Sequence, residues 1–288
     1  MRTHCLPTFL CIGAQRAGTT WLHNLLASHP RVYVPTRRKE IHYYDWYYHR
    51  GLNWYRSFFP HQNQAQKYAA LGEVTPDYLY ESEAPKRIAE TNPEIKLIVM
   101  LRNPIDRAFS HYRLLVRDYN CTTSFRDIIR ENGDVVQRGF YSRYLKPFRQ
   151  VFGPGRILPL IFEKVLGDFS SSRRSLATFL GVDENGFDSE ASGKIYNASD
   201  IPRFSGAYAA MTKLSRLMHR LDLDFVVSAA KRLRITELFG LRRIDAEMDP
   251  EEERYLFEIY HKDIEATEQM IGVSLDCWRE KSKDGVSS

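Results

Sequence analysis

Phe9-Leu10-Cys11-Ile12-Gly13-Ala14-Gln15-Arg16-Ala17-Gly18-Thr19-Thr20-Trp21-Leu22 is the stretch whose reading decides the fold. Its apolar start reads as a strand, Gly13 to Gly18 as a loop with one cation, and the run from Thr19 as an amphipathic helix. That order gathers backbone N–H groups and a helix N-terminus around an anion such as phosphate. Gly13 and Gly18 keep the G-x-x-x-x-G spacing of a phosphate-binding loop, and Thr20 stands where that loop carries Ser or Thr. Thr19 occupies the place of the Lys that should follow the second Gly. Arg16, inside the loop, is the only cation there.

The missing Lys has chemical consequences. A nucleotide kinase needs it on the β- and γ-phosphates, together with Mg²⁺ held by a Ser/Thr and an acid at the end of a later strand. The best later strand, Lys96 to Leu101, ends in Arg102, a cation where the acid should be. A phosphate-gripping loop with an internal cation, paired with a strand-end Arg, points to a nucleotide site that works without metal. For the loop taken alone, a plain strand–helix turn is the competing reading.

The 288 residues, 43% hydrophobic and 27% charged, suit one α/β domain with a sizeable core. A net charge of +5, from 41 Lys and Arg against 36 Asp and Glu, suits an anionic cofactor or substrate and is too weak for a nucleic-acid binder. No apolar run approaches the ~20 residues of a membrane span. Met1 to His4 leads almost directly into the first strand, so no cleavable signal is expected. Cys5, Cys11, Cys121 and Cys277 lack metal spacing and read as reduced thiols, which leads us to expect a cytoplasmic protein. Asn120-Cys121-Thr122 and Asn197-Ala198-Ser199 match the glycosylation pattern and are read as chance.

Along the chain, Val32–Val34 and Ala69–Val74 read as extended, and Ala84–Thr91 as a helix before Pro93. Lys96–Leu101 is a continuous apolar run of the kind found in a parallel strand covered on both faces. Asn103-Pro104-Ile105-Asp106 carries an N-cap, Pro at N1 and an acid at N3, opening a helix to about Arg117. Gly51–Phe59, Tyr141–Phe152 and Ser171–Leu180 are further helices, and Arg156–Phe162 is a strand that Pro159 confines to an edge. Residues 188–203 read as loop and 205–245 as helical pieces with basic faces. The last helix follows an Asp249 cap, with Pro250 and Glu251–Glu253 in its first turn. Strands alternating with helices predict an α/β, P-loop-like fold, a mainly parallel sheet flanked by helices, in one domain over residues 1–288.

Three stretches together carry a family resemblance. They are the loop at 13–20, the run Arg102-Asn103-Pro104-Ile105-Asp106-Arg107-Ala108-Phe109-Ser110, and the run Lys39-Glu40-Ile41-His42-Tyr43-Tyr44-Asp45-Trp46. The chain resembles sulfotransferases that use 3′-phosphoadenosine-5′-phosphosulfate (PAPS), and most of all the heparan-sulfate type and its bacterial relatives. Gly51-Leu52-Asn53-Trp54-Tyr55, Val74-Thr75-Pro76-Asp77-Tyr78 and Arg138-Gly139-Phe140-Tyr141 echo the same group. The resemblance is good over roughly residues 8–165 and looser beyond.

What the resemblance implies can be set out residue by residue. Gln15, Arg16, Ala17, Gly18, Thr19 and Thr20 would hold the 5′-phosphosulfate, and Arg102 with Ser110 the 3′-phosphate. Arg16 stands where many relatives have Lys and would meet charge on the leaving oxygen, now as a guanidinium. Glu40 matches the family's general base. His42, two residues on, would share a face with Glu40 in an extended run and could orient the substrate or replace Glu40 as base. Three preceding cations, Arg37, Arg38 and Lys39, should keep Glu40 ionised or pair with it. Asp45 matches a family acid.

The chain departs from the family at Val74, where a Lys is usual before Thr-Pro, and in lacking an evident Lys-Gly-Arg loop late in the chain; Lys194 or Arg203 could replace that loop at the cofactor. Trp46, Tyr47, Tyr48, Trp54 and Tyr55 are expected in the core rather than against sugar rings. The expected activity is sulfuryl transfer to a hydroxyl of a carbohydrate or small molecule, with no metal. The rivals are a P-loop kinase-like phosphotransferase and a non-catalytic nucleotide- or glycan-binding module. Acceptor identity and oligomeric state are left open.

Overall fold

A computed structural model describes residues 4–188, 200–202, 205–220, 223, 241–243 and 247–279. The described residues form two compact units. One draws on Met1–Pro104, Phe140–Ile195 and Tyr260–Ser288, the other on Ile105–Gly139 and Tyr196–Ile259.

The first unit is built on a five-stranded sheet in the order β2-β3-β1-β4-β5, with β1 at Phe9–Gly13, β2 at Val32–Tyr33, β3 at Ala70–Val74, β4 at Lys96–Leu101 and β5 at Ile157–Ile161. Every pairing is parallel. Helices connect the strands, as parallel pairing demands, and the central strands are covered on both faces. All five residues of β1 and β3 are buried, as are five of the six in β4. The apolar runs read from the sequence are therefore core strands. Pro159 sits in the edge strand β5, opposite Val99, where its missing N–H breaks no ladder. Phe9 lies in register with Gly72, and a Cβ on Gly72 would come within 2.4 Å of the Phe9 ring, so only glycine lets that ring enter the sheet.

Chain order fixes where a ligand can sit. From β1 the chain runs outward to β2 and β3 on one side, then crosses to β4 and β5 on the other. The strand order therefore reverses between β1 and β4, and in open parallel sheets the crevice at the C-terminal ends of such strands is the binding position. Gly13 at the end of β1 is in register with Val99 of β4, three residues before Arg102. The glycine loop and the strand-end Arg thus leave neighbouring strands at one edge.

The second unit contains most of the helix Pro104–Tyr119 and the short helices Phe125–Arg130 and Asp134–Gln137. Fully buried Arg107 donates to the Val135 carbonyl, and Phe125 packs edge-on against Phe109. The loop and helical pieces expected over 188–245 need one correction. Asp200–Pro202 and Leu241–Arg243 pair as two antiparallel strands, placing Arg242 on a strand rather than a helix. Helix Ser205–Arg220 lies between them. At the start of the helix Pro250–Ile271, Asp249 accepts from the Glu251 N–H and Glu252 accepts from the Asp249 N–H, a reciprocal cap as the sequence proposed.

Candidate active site

The loop after β1 is shaped for an anion. Gly18 takes φ 92 and caps the helix Thr19–Ser28, with no side chain of its own to occupy the first N–H groups. Arg16 has φ 69, a left-handed turn inside the loop, and the Ala17 N–H donates back to the Ala14 carbonyl. A Cβ on Gly18 would lie 2.6 Å from the Phe162 ring, and one on Gly13 2.7 Å from Leu79; both glycines are sterically required. Ala14 and Ala17 are buried beneath the loop, and the Ala14 N–H donates to the Met100 carbonyl, extending the β1–β4 pairing. Gln15, Arg16, Gly18 and Thr20 keep solvent contact, whereas Thr19 is buried.

Arg102 follows β4 at the same edge. Its guanidinium lies 5.0 Å from the Phe162 ring, and its carbonyl accepts from the Tyr141 hydroxyl. A carboxylate does approach this strand end. Glu163 accepts from the Asn103 N–H at 2.9 Å and from the Trp278 indole at 2.8 Å, so two structural donors occupy it. Ser110 is on the helix Pro104–Tyr119 in the second unit. Arg203 and Lys194 lie outside the described residues. Among the described residues no group of three or more His, Cys, Asp or Glu could hold a metal ion, and no helix is long and apolar enough to cross a membrane.

Lys39 connects the loop's helix to Glu40. Its ammonium donates at 2.9 Å to the Thr20 hydroxyl and at 2.9 Å to Glu40 Oε1. The sequence has no cation directly after Gly18; one arrives at Thr20 from a residue 19 positions further on. The pairing of Lys39 with Glu40 is as the sequence suggests; its bond to Thr20 is not foreseen there. Arg38 and Arg37 also contact aromatic rings. Arg38 lies over Tyr47, Trp54 and Phe58, and Arg37 over Phe58.

His42 completes the cluster by a different backbone route from the one expected. The run is not an alternating strand, for His42 sits at φ 58 in the left-handed region. Its Nδ1 is 2.8 Å from Asp45 Oδ2 and its Nε2 is 3.7 Å from Glu40 Oε2. Asp45 is held in turn by the Trp46 N–H at 2.7 Å. Trp46 stacks on the imidazole with ring centres 3.8 Å apart and remains 59% exposed, so the expectation of a core position fails for this residue. Tyr55 is buried as expected.

These neighbours set the charge states. Burial works against ionisation of Glu40, but Lys39 and then His42 outweigh it and hold the carboxyl down at about 2. Burial likewise opposes a charged His42, and hydrogen bonds and charge from Asp45 and Glu40 overcome it, raising the imidazole to about 10. The arrangement thus favours the carboxylate of Glu40 and the protonated form of His42. It offers one proton acceptor to a substrate, beside a loop suited to an anion.

Comparison with known proteins agrees with this geometry. A family model described as "Sulfotransferase domain" matches residues 6–217. A membrane-associated sulfotransferase, kil1, of Dictyostelium discoideum is 33% identical over 155 residues, covering 51% of this chain and 32% of that protein. Heparan sulfate glucosamine 3-O-sulfotransferase 3A1 of Mus musculus is 32% identical over 186 residues, covering 62% of this chain and 46% of its own length. The chain thus spans less than half of either relative's length. The crystal structure of a sulfotransferase from Alicyclobacillus acidocaldarius shares the fold, with a TM-score of 0.68 and 23% identity over 96% of this chain and 99% of that one. With an anion-shaped loop, a carboxylate set between two cations and a family model that runs through most of its length, the chain belongs to the sulfotransferase family.

Proposed function

We propose that the chain moves the sulfuryl group of PAPS to a hydroxyl of a carbohydrate or small-molecule acceptor, by in-line displacement and without metal. The observation that carries this reading is Glu40, ionised between Lys39 and His42, with Lys39 also bound to Thr20 at the start of the loop's helix. Bound PAPS would supply an activated sulfuryl group and a phosphate leaving group. The helix N-terminus behind Gly18 suits the 5′-phosphate, and Gln15–Thr20 would hold it. The motif resemblance supports Arg102 and Ser110 as the 3′-phosphate pair, and Arg203 is offered as a further cofactor contact in place of the family's late loop.

Glu40 takes the acceptor's hydroxyl proton as that oxygen bonds to sulfur and the sulfur–oxygen bond to the phosphate breaks. Arg16 meets the charge growing on the phosphate oxygen. His42, whose contacts with Asp45 and Glu40 favour its protonated form, is assigned the role of orienting Glu40. The two cations that keep Glu40 ionised also weaken it as a base, so positioning carries more of the catalysis than proton affinity. Lys39 takes over at Thr20 part of what a loop Lys would do. A single sulfotransferase domain and a cytoplasmic location remain our reading.

The test is transfer of radiolabelled sulfate from PAPS to a panel of hydroxyl acceptors, headed by heparan sulfate, with EDTA present. Labelled product that is lost in Glu40→Gln supports the reading. Mg²⁺-dependent transfer of phosphate from ATP, with none from PAPS, would establish the kinase instead.

A further inference from the structure

Glu73 of β3 is fully buried, and its carboxyl receives three hydroxyl groups. Tyr55 and Tyr78 each donate to Oε1 at 2.8 Å, and Thr75 donates to Oε2 at 2.6 Å. Two of these hydroxyls do a second job. Thr75 Oγ1 accepts the Ile41 N–H at 3.1 Å, and the Tyr78 oxygen accepts the Tyr43 N–H at 2.8 Å.

The directions of these bonds are not free. A backbone N–H can only donate, so each hydroxyl oxygen accepts there and its single proton points at Glu73. Both chains of bonds therefore run one way and end on a carboxyl that accepts three times. Burial raises Glu73 above the usual carboxylate range, and the hydroxyls of Thr75, Tyr55 and Tyr78 work against that rise. A buried carboxyl is tolerated when its lone pairs are filled in this manner. The two tethered N–H groups belong to Ile41 and Tyr43, on either side of His42 at its left-handed φ of 58 and directly after Glu40.

We propose that Glu73 is a positioning residue for the proton-accepting centre: through Thr75 and Tyr78 it tethers Ile41 and Tyr43, and so fixes Glu40 and His42 against each other. This rests on Glu40 being the base. A glutamine at 73 would keep the shape and still fail, because its amide nitrogen must donate. One hydroxyl would then have to reverse, leaving its proton without an acceptor.

The test follows the His42 ring by NMR titration in the histidine-labelled full chain, alongside hydrogen exchange of the Ile41 and Tyr43 amides. Thr75→Val cuts one tether and Tyr78→Phe the other, each keeping its bulk in the core. Tyr55→Phe removes a donor to Glu73 that carries no tether. In Thr75→Val and Tyr78→Phe the His42 midpoint is expected to fall by about one pH unit or more, and the freed amide to exchange about tenfold faster. Thr75→Ser and Tyr55→Phe should match the wild type. An unchanged His42 midpoint in both tether variants would overturn the proposal. A shift in Tyr55→Phe equal to theirs would overturn it too, since it would show a general loosening of the core. No acceptor is needed, so this outcome is separate from the kinetics of Glu40→Gln, which decide whether Glu40 is the base.

Discussion

Replacing Asp45 with Asn removes the charge that holds His42. The side chains of Asp45 and His42 are only 3% and 10% exposed, and their atoms lie 2.8 Å apart. Asn keeps one oxygen that can accept from Nδ1–H, while its NH2 faces the Trp46 N–H, so the ion pair is lost together with that backbone hydrogen bond. Breaking a buried pair from one side costs about 3 kcal/mol at the low end of the usual range. At ~2–4 °C per kcal/mol this is a fall in Tm of about 6–12 °C.

The pH dependence makes the test specific. His42 rises from its ordinary 6.5 to about 10 on folding. Its contribution is therefore fully present below pH 6.5 and drains away as pH rises through about 10. Over that window wild-type stability falls by up to about 1.4 kcal/mol per pH unit. In Asp45→Asn the folded-state value moves back toward 6.5 and the same window flattens. Urea unfolding at pH 6.5, 8 and 10 should show a large deficit that shrinks as pH rises. A deficit that stays constant from pH 6.5 to 10 would refute the reasoning.

Three further outcomes follow from the site and the core. The wild type should bind 3′-phosphoadenosine-5′-phosphate at micromolar strength without metal and more tightly than ADP; Arg102→Ala should erase most of that preference, worth roughly 1.5–3 kcal/mol in calorimetry. Arg16→Ala should lower kcat more than it raises the KM for PAPS, because its charge matches one that grows only in the transition state; a change in KM alone would make Arg16 a simple phosphate grip. Cys11 is buried, and burial pushes its thiol up to about 12, so a thiol reagent at pH 8 should modify at most the three other cysteines until the protein unfolds; four modified thiols in the native chain would contradict this.

Features set by local pattern were legible in the sequence. The apolar run Lys96–Leu101, the glycine spacing at 13 and 18 and the cap at Asp249 each state their structure within a few residues. Pro159 even gave its strand's place at the edge. What stayed hidden depends on chain folding back on itself. Lys39 reaches Thr20 only because its segment crosses the start of the loop's helix. Of the three cations before Glu40, Lys39 pairs with it, and the rings that Arg37 and Arg38 lie over come from residues 47 to 58. His42 adopts a backbone angle that no strand pattern allows, with Thr75 and Tyr78 holding its neighbours from 30 or more residues away. Glu73 gave no sign in an apolar strand that it ends two chains of hydrogen bonds.

The central claim is that Glu40 receives the acceptor's proton and His42 does not. Glu40→Gln keeps the shape and removes the basicity, while His42→Ala removes the imidazolium and leaves the carboxylate. Steady-state kinetics of both variants on one acceptor, with calorimetry of 3′-phosphoadenosine-5′-phosphate as a control for folding, compare them directly. The account predicts a fall in kcat of about 10²-fold or more for Glu40→Gln, nucleotide affinity nearly unchanged, and a milder effect of His42→Ala, mainly on the acceptor's KM. Near wild-type kcat in Glu40→Gln, with kcat lost in His42→Ala, would contradict it and make His42 the base.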